Sequence, residues 1–168
     1  MNSIGESSTT LYNASNGFVN IDGNFIHETA QISNLVELGT GNVIYPFAVI
    51  GFRGFVRGDK QRTGRVRIGD NNRIGAHVFI AHDVEIDDNN LIMSFVNIGH
   101  NSIIGTNNEI GAKTIICGHV TILNHAKIKV GCSIRNRIGI GNKAVIAMGS
   151  NVVKSVPSGA SVMGNPAR

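Results

Sequence analysis

Residues 80–110 read IAHDVE IDDNNL IMSFVN IGHNSI IGTNNE I, with isoleucine at every sixth position. The pattern extends in both directions: 21 of the 22 positions spaced by six between residues 26 and 152 hold Ile, Leu or Val, and Arg62 is the exception. A six-residue period drifts off one face of an α-helix, which has about 3.6 residues per turn, but stays on one side of a β-strand, whose period is about two. The chain is therefore predicted to be all-β, with one short strand in each hexad.

The residues between the isoleucines predict corners. Glycine follows many of the isoleucines, as at Gly99 and Gly105, and asparagine is frequent. Both residue types tolerate the positive φ that tight corners require. Three strands and three corners would close a coil of about 18 residues, and about seven coils stacked about 4.8 Å apart would form a single-stranded parallel β-helix, a triangular prism.

One basic stretch interrupts the repeat. Residues 53–67 carry six Lys or Arg residues against one Asp, a local charge of +5 that exceeds the +4 of the whole chain. Ile50 and Ile68 nevertheless stay in phase with each other. We expect one extruded loop near residues 52–66 that leaves the prism and rejoins it one coil later. Its charge suits a phosphate-bearing small molecule better than a nucleic acid, and a merely solvated loop is the alternative.

Composition argues against several other classes. No apolar run reaches the about 18 residues that span a bilayer. Residues 1–16 lack the basic and apolar regions of a signal peptide, and Cys117 and Cys132 lack the spacing of a zinc site. We expect a reduced, cytoplasmic protein in which an N-terminal segment, residues 1–24, leads into one β-helix domain, residues 25–168.

Residues 18 apart should lie above one another, which sorts the hexads into three columns. The column that begins at Ile68 repeats Asn-Asn pairs, which we interpret as structural ladders, and the column that begins at Ile74 is mostly small and apolar. The third column concentrates polar and titratable side chains on one edge, which predicts a functional site with histidine as general base. A polar edge facing solvent or a subunit interface is the alternative. The residues of this edge are His82, Asp83, His100, Asn101, His119, Arg135, Asn136 and Arg137.

Three quoted segments carry a resemblance to a known family. The hexads resemble those of the left-handed β-helix, or hexapeptide-repeat, acyltransferases. Residues 152–168 are similar to the end of sugar acetyltransferases, whereas residues 68–74 and 89–101 are similar to the UDP-N-acetylglucosamine acyltransferases that begin lipid A synthesis. The resemblance implies a left-handed coil, a homotrimer with active sites between prisms, and a role in lipopolysaccharide or polysaccharide biosynthesis. It also implies an acetyl-coenzyme A or acyl-carrier-protein donor and no metal.

The resemblance also assigns roles. The general base falls on His100, although Ile80-Ala81-His82-Asp83 copies the family motif more closely, and the flanking sequence and the distance to His119 favour His100. The Gly118 N–H would stabilise the oxyanion. The expected substrate- or donor-binding residues are His82, Asn101, Gly118, His119, Arg135, Arg137, Asp59 and Lys60.

Departures from the lipid A enzymes refine the expected function. Asn101 stands where family members often have Asp, so we expect another group, such as a backbone carbonyl, to orient His100. Arg135 replaces a further histidine, and the family's loop residues are missing, although Asp59 and Lys60 lie nearby. The sequence therefore favours transfer of an acetyl or other short acyl group to a hydroxyl or amine of a nucleotide-linked amino sugar.

Three alternatives stay open at this point. One is a long-chain, acyl-carrier-protein-dependent UDP-N-acetylglucosamine acyltransferase. A second is a γ-type carbonic anhydrase, for which His77 and His82 have a ligand-like gap of five residues but a third histidine in phase is not evident. A third is a non-catalytic β-helix. His77 by itself is interpreted as a surface corner residue.

Overall fold

The computed structural model describes residues 12–52 and 64–168, and this part of the chain is a parallel β-helix of short strands. One 3-10 turn, Ala14–Asn16, precedes the strands. In chain order the strands are β1 (Phe18–Ile21), β2 (Asn24–His27), β3 (Gln31–Ile32), β4 (Val36–Leu38), β5 (Val43–Ile44), β6 (Val49–Phe52), β7 (Val66–Ile68), β8 (Arg73–Ile74), β9 (Phe79–Ala81), β10 (Glu85–Ile86), β11 (Leu91–Ile92), β12 (Asn97–Ile98), β13 (Ile103–Ile104), β14 (Glu109–Ile110), β15 (Ile115–Ile116), β16 (Thr121–Ile122), β17 (Lys127–Ile128), β18 (Ser133–Ile134), β19 (Gly139–Ile140), β20 (Val145–Ile146), β21 (Asn151–Val152) and β22 (Ser161–Val162).

The strands form three sheets, one for each side of the prism. The nine-stranded sheet has the order β1-β2-β5-β8-β11-β14-β17-β20-β22, the seven-stranded sheet β21-β18-β15-β12-β9-β6-β3, and the six-stranded sheet β19-β16-β13-β10-β7-β4. Beyond residue 64 the ladders join residues 18 apart, as in Ile80–Ile98–Ile116. The predicted columns and the left-handed β-helix architecture of about seven coils are thus confirmed.

The repeated isoleucines fill the inside of the prism. Burying one such side chain stabilises the fold by about 1.5–3 kcal/mol, so a continuous column of them supplies most of the core. The largest fully buried side chains are Ile44, Ile50, Ile74, Ile80, Ile92, Ile98, Ile104, Ile110, Ile116, Ile122, Ile128 and Ile134.

A buried asparagine ladder lines one corner, as the structural interpretation of the Asn pairs predicts. The backbone N–H of Asn90 donates to Asn72 Oδ1 at 2.9 Å, and that of Asn108 donates to Asn90 Oδ1 at 2.8 Å. The same bond joins Asn42 to Asn24 and Asn72 to Asn42. These bonds satisfy polar groups that would otherwise be costly to bury.

The prediction for the glycines that follow the isoleucines is wrong in its reason. Of these glycines only Gly51 has a positive φ; the left-handed position lies two residues further on, for example at Asn71 and Asn101. Gly99 instead allows close packing of successive coils, since a Cβ there would lie 2.5 Å from the Gly118 nitrogen. Close approach of two backbones is a second physical reason for glycine.

The extruded loop is confirmed by the register, but its predicted return one coil later is wrong. Leu38 pairs with Ile68, and Ile50 pairs with Ile80, so residues that face each other across the insertion are 30 apart instead of 18. The chain therefore gains 12 residues at one corner and continues on the next side of the prism. Because 12 is a multiple of six, counting hexads could not distinguish the two cases.

The N-terminal segment closes the first coil. β1 pairs with β2 in antiparallel register, and Tyr12 and Phe18 pack with Val43 beneath it. This pairing covers the strand edge that the first coil would otherwise expose. In the described ranges, no helix has the length and apolar character needed to cross a membrane.

Candidate active site

The corner between the seven-stranded and six-stranded sheets carries the candidate site. Each strand of the seven-stranded sheet ends in an isoleucine or alanine, and a turn follows whose last residue has a left-handed backbone. These left-handed residues are Asp83, Asn101, His119 and Arg137, with φ between 56° and 61°. We call this corner the histidine edge and define it by His82, Asp83, His100, Asn101, Gly118, His119 and Arg137.

Two successive coils of this edge present the same arrangement. His82 Nδ1 lies 3.0 Å from Asp83 Oδ2, and His100 Nδ1 lies 2.8 Å from Asn101 Oδ1. The two imidazole rings stack with their centroids 5.4 Å apart and their planes 10° from parallel. The predicted stacking of His82 and His100 is therefore confirmed.

The two histidines differ in access. His82 is only 4% exposed, and its Nε2 is buried without a hydrogen-bond partner among the described residues. The residue one coil further is His100, whose ring covers it. One coil beyond His100 is Gly118, where a Cβ would lie 3.0 Å from His100 Nε2. The missing side chain at Gly118 leaves His100 half-open, and His82 closed.

The hydrogen bond to Asn101 fixes the tautomer of His100. An amide oxygen can only accept, so Nδ1 carries the proton and Nε2 presents a lone pair. The prediction that Asn101 cannot orient the ring, and that a backbone carbonyl does so, is wrong. Asn101 supplies the oxygen that an aspartate would supply, without its negative charge.

His119 completes the group of three imidazoles. Its ring meets His100 edge to face at a centroid distance of 5.0 Å. Partial desolvation, followed by the charges of His100 and Arg137, lowers the pKa of His119 below its usual value. His119 is therefore a neutral hydrogen-bonding group near neutral pH, and it adds no positive charge beside His100.

A groove of about 460 Å³ runs beside the histidine edge. Arg65 and Arg67 lie on one side, Asp83 and Glu85 on the other, and Asn101 borders it where His100 is held. The described end of the basic loop also reaches this place, because a side chain at Gly64 would collide with the Asp83 carboxylate. The groove thus brings both signs of charge next to the imidazole.

Not every predicted residue joins this group. Arg135 lies on the same coil as Arg137, but its guanidinium approaches the Val153 carbonyl, 3.5 Å away on the next coil. Asp59 and Lys60 lie in residues 53–63, outside the described part of the chain. The structure therefore assigns neither of them a position relative to His100.

The zinc interpretation gains no support from the geometry. His77 belongs to a different corner from His82 and stacks between Phe47 and Phe95, at centroid distances of 5.0 and 4.9 Å. Within residues 12–52 and 64–168, no three His, Cys, Asp or Glu side chains converge as a metal site would require.

Sequence reasoning missed the partners of the groove arginines. Glu37 pairs with Arg65 at 2.9 Å and with Arg67 at 3.3 Å. The pairs join residues 28 and 30 positions apart, and an 18-residue register does not bring these residues together. The clustering of charge in residues 53–67 was the signal that the sequence offered.

Comparison with known proteins gives one curated relative and many solved structures. No protein-family model matches the sequence. Over 138 residues the chain is 33% identical to the acyl-[acyl-carrier-protein]–UDP-N-acetylglucosamine O-acyltransferase of Synechocystis sp.. The match covers 79% of this chain and 50% of the relative, so the chain spans about half the length of the curated relative that it matches.

Solved structures share the fold. A UDP-N-acetylglucosamine acyltransferase from Bacteroides fragilis superimposes with a TM-score of 0.83 at 27% identity, over 87% of this chain and 60% of that one. A variant of perosamine N-acetyltransferase from Caulobacter crescentus, in complex with CoA and GDP-perosamine, superimposes with a TM-score of 0.55 at 20% identity, over 86% and 55% of the two chains. The second likeness concerns the fold alone. The chain belongs to the hexapeptide-repeat β-helix family, which includes UDP-N-acetylglucosamine acyltransferases and sugar acetyltransferases.

Proposed function

We propose that this protein transfers an acetyl or other short acyl group from a thioester donor to a hydroxyl or amine of a nucleotide-linked amino sugar, in the cytoplasm, with His100 as general base. One observation carries the proposal. His100 has its Nδ1 bound to Asn101 and its Nε2 beside the side-chain-free Gly118, whereas the similar His82 is closed. A general base needs a fixed tautomer and access to the substrate proton, and among the paired histidines of this edge only His100 offers both.

The chemistry follows from these atoms. His100 Nε2 takes the proton of the acceptor as its oxygen or nitrogen attacks the thioester carbonyl carbon. The Gly118 N–H has no hydrogen-bond acceptor among the described residues, so it can donate to the oxyanion of the tetrahedral intermediate. Collapse of the intermediate expels the thiolate, which takes the proton from His100 and regenerates the neutral imidazole.

The surroundings of His100 suggest where the two substrates bind. The groove lined by Arg65 and Arg67 suits the phosphates of the acceptor nucleotide, because guanidinium groups bind phosphate oxygens in pairs. His119 suits a hydrogen bond to the acceptor. Arg137 lies on the opposite side of His119 from His100 along the edge and, with Arg135, suits the phosphates of coenzyme A. We also propose a homotrimer, in which a neighbouring prism would complete the groove.

The relatives support this chemistry and favour one alternative. The perosamine enzyme was solved with CoA and GDP-perosamine, a nucleotide-linked sugar. The Synechocystis relative is named for an acyl-carrier-protein donor and a UDP-N-acetylglucosamine acceptor. The second candidate is therefore acyl-carrier-protein-dependent transfer to UDP-N-acetylglucosamine at the same histidine.

Thermal stabilisation would separate these candidates. Specific ligands raise the melting temperature by mass action. A shift with acetyl-coenzyme A, and with one member of a panel of UDP-, GDP- and dTDP-linked amino sugars, would support the first proposal. A shift with UDP-N-acetylglucosamine and none with acetyl-coenzyme A would support the second.

Thiol release with the stabilising pair then tests the base. His100→Ala should lower kcat about 10²- to 10⁴-fold, the range associated with loss of a general base. His125→Ala is the matched control, since His125 is an exposed corner histidine on another edge. Full turnover by the His100 variant would exclude His100 as the base.

A further inference from the structure

We infer that Asp83 and His82 form a positioning pair that holds the His100 ring in its working orientation. The inference rests on the proposed role of His100 and adds two residues that touch neither substrate in this scheme. Asp83 acts on His82, and His82 acts on His100. Its basis is the hydrogen bond, the stack and the burial of the His82 ring, taken in turn below.

Asp83 fixes the plane of the His82 ring. Its Oδ2 accepts a hydrogen bond from His82 Nδ1 at 3.0 Å, and Asp83 itself sits at a left-handed corner position. The imidazole is 96% buried, because it is only 4% exposed. A buried ring with one nitrogen tied to a carboxylate has one available orientation.

His82 in turn presents a flat surface to His100. The ring planes differ by 10° and the centroids are 5.4 Å apart. His100 is otherwise held by Asn101 at Nδ1 and touched at one edge by His119. The Asn101 bond fixes which nitrogen faces out, but it leaves the ring free to tilt about that bond. Contact with a locked flat ring prevents the tilt.

The cost of His82 argues against a role in packing alone. Its Nε2 is buried with no hydrogen-bond partner in the described ranges. An unsatisfied buried acceptor destabilises a fold, and an aliphatic or aromatic side chain would fill the same space without that cost. Local violations of this kind are expected where function requires them.

Asp83 could instead act directly on a substrate, because it also lines the groove with Arg67 and Glu85. The two roles make different predictions. A substrate-binding Asp83 would change KM whatever stands at position 82. A positioning Asp83 would change kcat, and only while His82 is present.

A double-mutant cycle tests the pair. His82→Ala removes the flat surface and should lower kcat about 30-fold with KM within about twofold, since misplacing a base by less than 1 Å is enough for losses of this size. His82→Phe restores a flat ring without the bond to Asp83 and should recover kcat to about fivefold below wild type. Asp83→Ala should also cost about fivefold, and nothing further in the His82→Phe background.

Two kinetic outcomes would overturn the inference. One is a His82→Phe protein as slow as His82→Ala, because the flat ring would then not matter. The other is an Asp83→Ala loss that persists in the His82→Phe background, because Asp83 would then act without His82. Melting temperatures of all variants establish that each is folded.

An NMR measurement keeps this test separate from the proposed function. A stacked ring shifts the carbon-bound protons of its neighbour upfield by its ring current. The His100 ring protons should lose this shift in His82→Ala and keep it in His82→Phe. Unchanged His100 signals in His82→Ala would overturn the positioning pair. Absence of acyl transfer by the wild-type protein, with the expected NMR shifts, would instead reject the function and leave the pair standing.

Discussion

The coils that carry His82 and His100 have the same backbone and the same local hydrogen bond, yet only one offers a usable base. In both, Nδ1 is bound by the residue that follows, at 3.0 and 2.8 Å. The following residues share a left-handed backbone, with φ of 56° in each. By its local sequence, His82-Asp83 is the better general-base motif. Burial reverses that order, because His82 Nε2 is inaccessible.

The difference arises one coil away in space and 18 residues away in sequence. His82 is covered by His100, whereas the corresponding position beyond His100 is Gly118. In a β-helix the residue that covers a side chain is set by the register. A site therefore opens where the register places a glycine next to a functional group. Gly118 thus has two roles: it leaves Nε2 open and it contributes a free N–H.

Adding a side chain at Gly118 should break the difference between the two coils and have the largest effect. In Gly118→Ala the new Cβ would lie 3.0 Å from His100 Nε2 and would force the ring to move. We expect kcat to fall about 100-fold, since a displacement near 1 Å can cost that much. Thiol-release kinetics measures it.

Gly139→Ala is the matched control for that substitution. Gly139 has an ordinary backbone, and its nearest atoms lie 4.0 Å from the added Cβ, so the variant should fold and react normally. Equal rates for the two variants would mean that the space beside His100 Nε2 has no role in catalysis.

Changing Asn101 should have the next largest effect. Asn101→Ala removes the Nδ1 acceptor, so either nitrogen of His100 can carry the proton, and we expect kcat to fall about 10-fold within the range known for acid–base groups. Asn101→Asp makes the coil resemble that of His82-Asp83 and should keep at least half of the wild-type rate. Steady-state kinetics of both variants measures the contrast.

Backbone strain is the confounding factor for Asn101. Alanine tolerates the left-handed position less well than asparagine. Asn107→Ala controls for it, because Asn107 has the same backbone, with φ of 58°, on another edge. If Asn107→Ala lost activity to the same extent, the loss in Asn101→Ala would have to be assigned to strain.

The sequence was sufficient for the features that depend on period. The hexads predicted the strands, the columns and the edge that unites His82, His100 and His119, because register in a β-helix repeats every 18 residues. It was insufficient where the period is broken or where contact geometry decides. The 12-residue insertion concealed the pairing of Glu37 with Arg65 and Arg67.

Access to a side chain was also beyond the sequence. The motif at His82 and the flanking sequence at His100 pointed in different directions, and only the stacked rings show which nitrogen is covered. The role of Asn101 was missed for a related reason. An amide in place of a carboxylate was interpreted as a lost partner, whereas the oxygen that holds Nδ1 is still present.

The pH dependence of stability should distinguish His119 from other corner histidines by a small amount. Because the pKa of His119 is lowered in the folded state, the unfolded chain binds its proton first as the pH falls through about 6.5. Protonation of the unfolded state then reduces the free energy of unfolding, and above about pH 7.5 the effect vanishes. Since His119 is exposed, the contribution to Tm should stay below about 2 °C.

Melting curves between pH 7.5 and 5.5 test this comparison. Wild type should lose slightly more Tm on acidification than His119→Asn, in which asparagine suits the left-handed position of φ 59°. His125→Asn removes a histidine from the same kind of position, with φ of 60°, and should parallel wild type. A steeper loss in His119→Asn than in wild type would mean that His100 and Arg137 do not oppose protonation at this edge. The three imidazoles would then have to be regarded as independent groups.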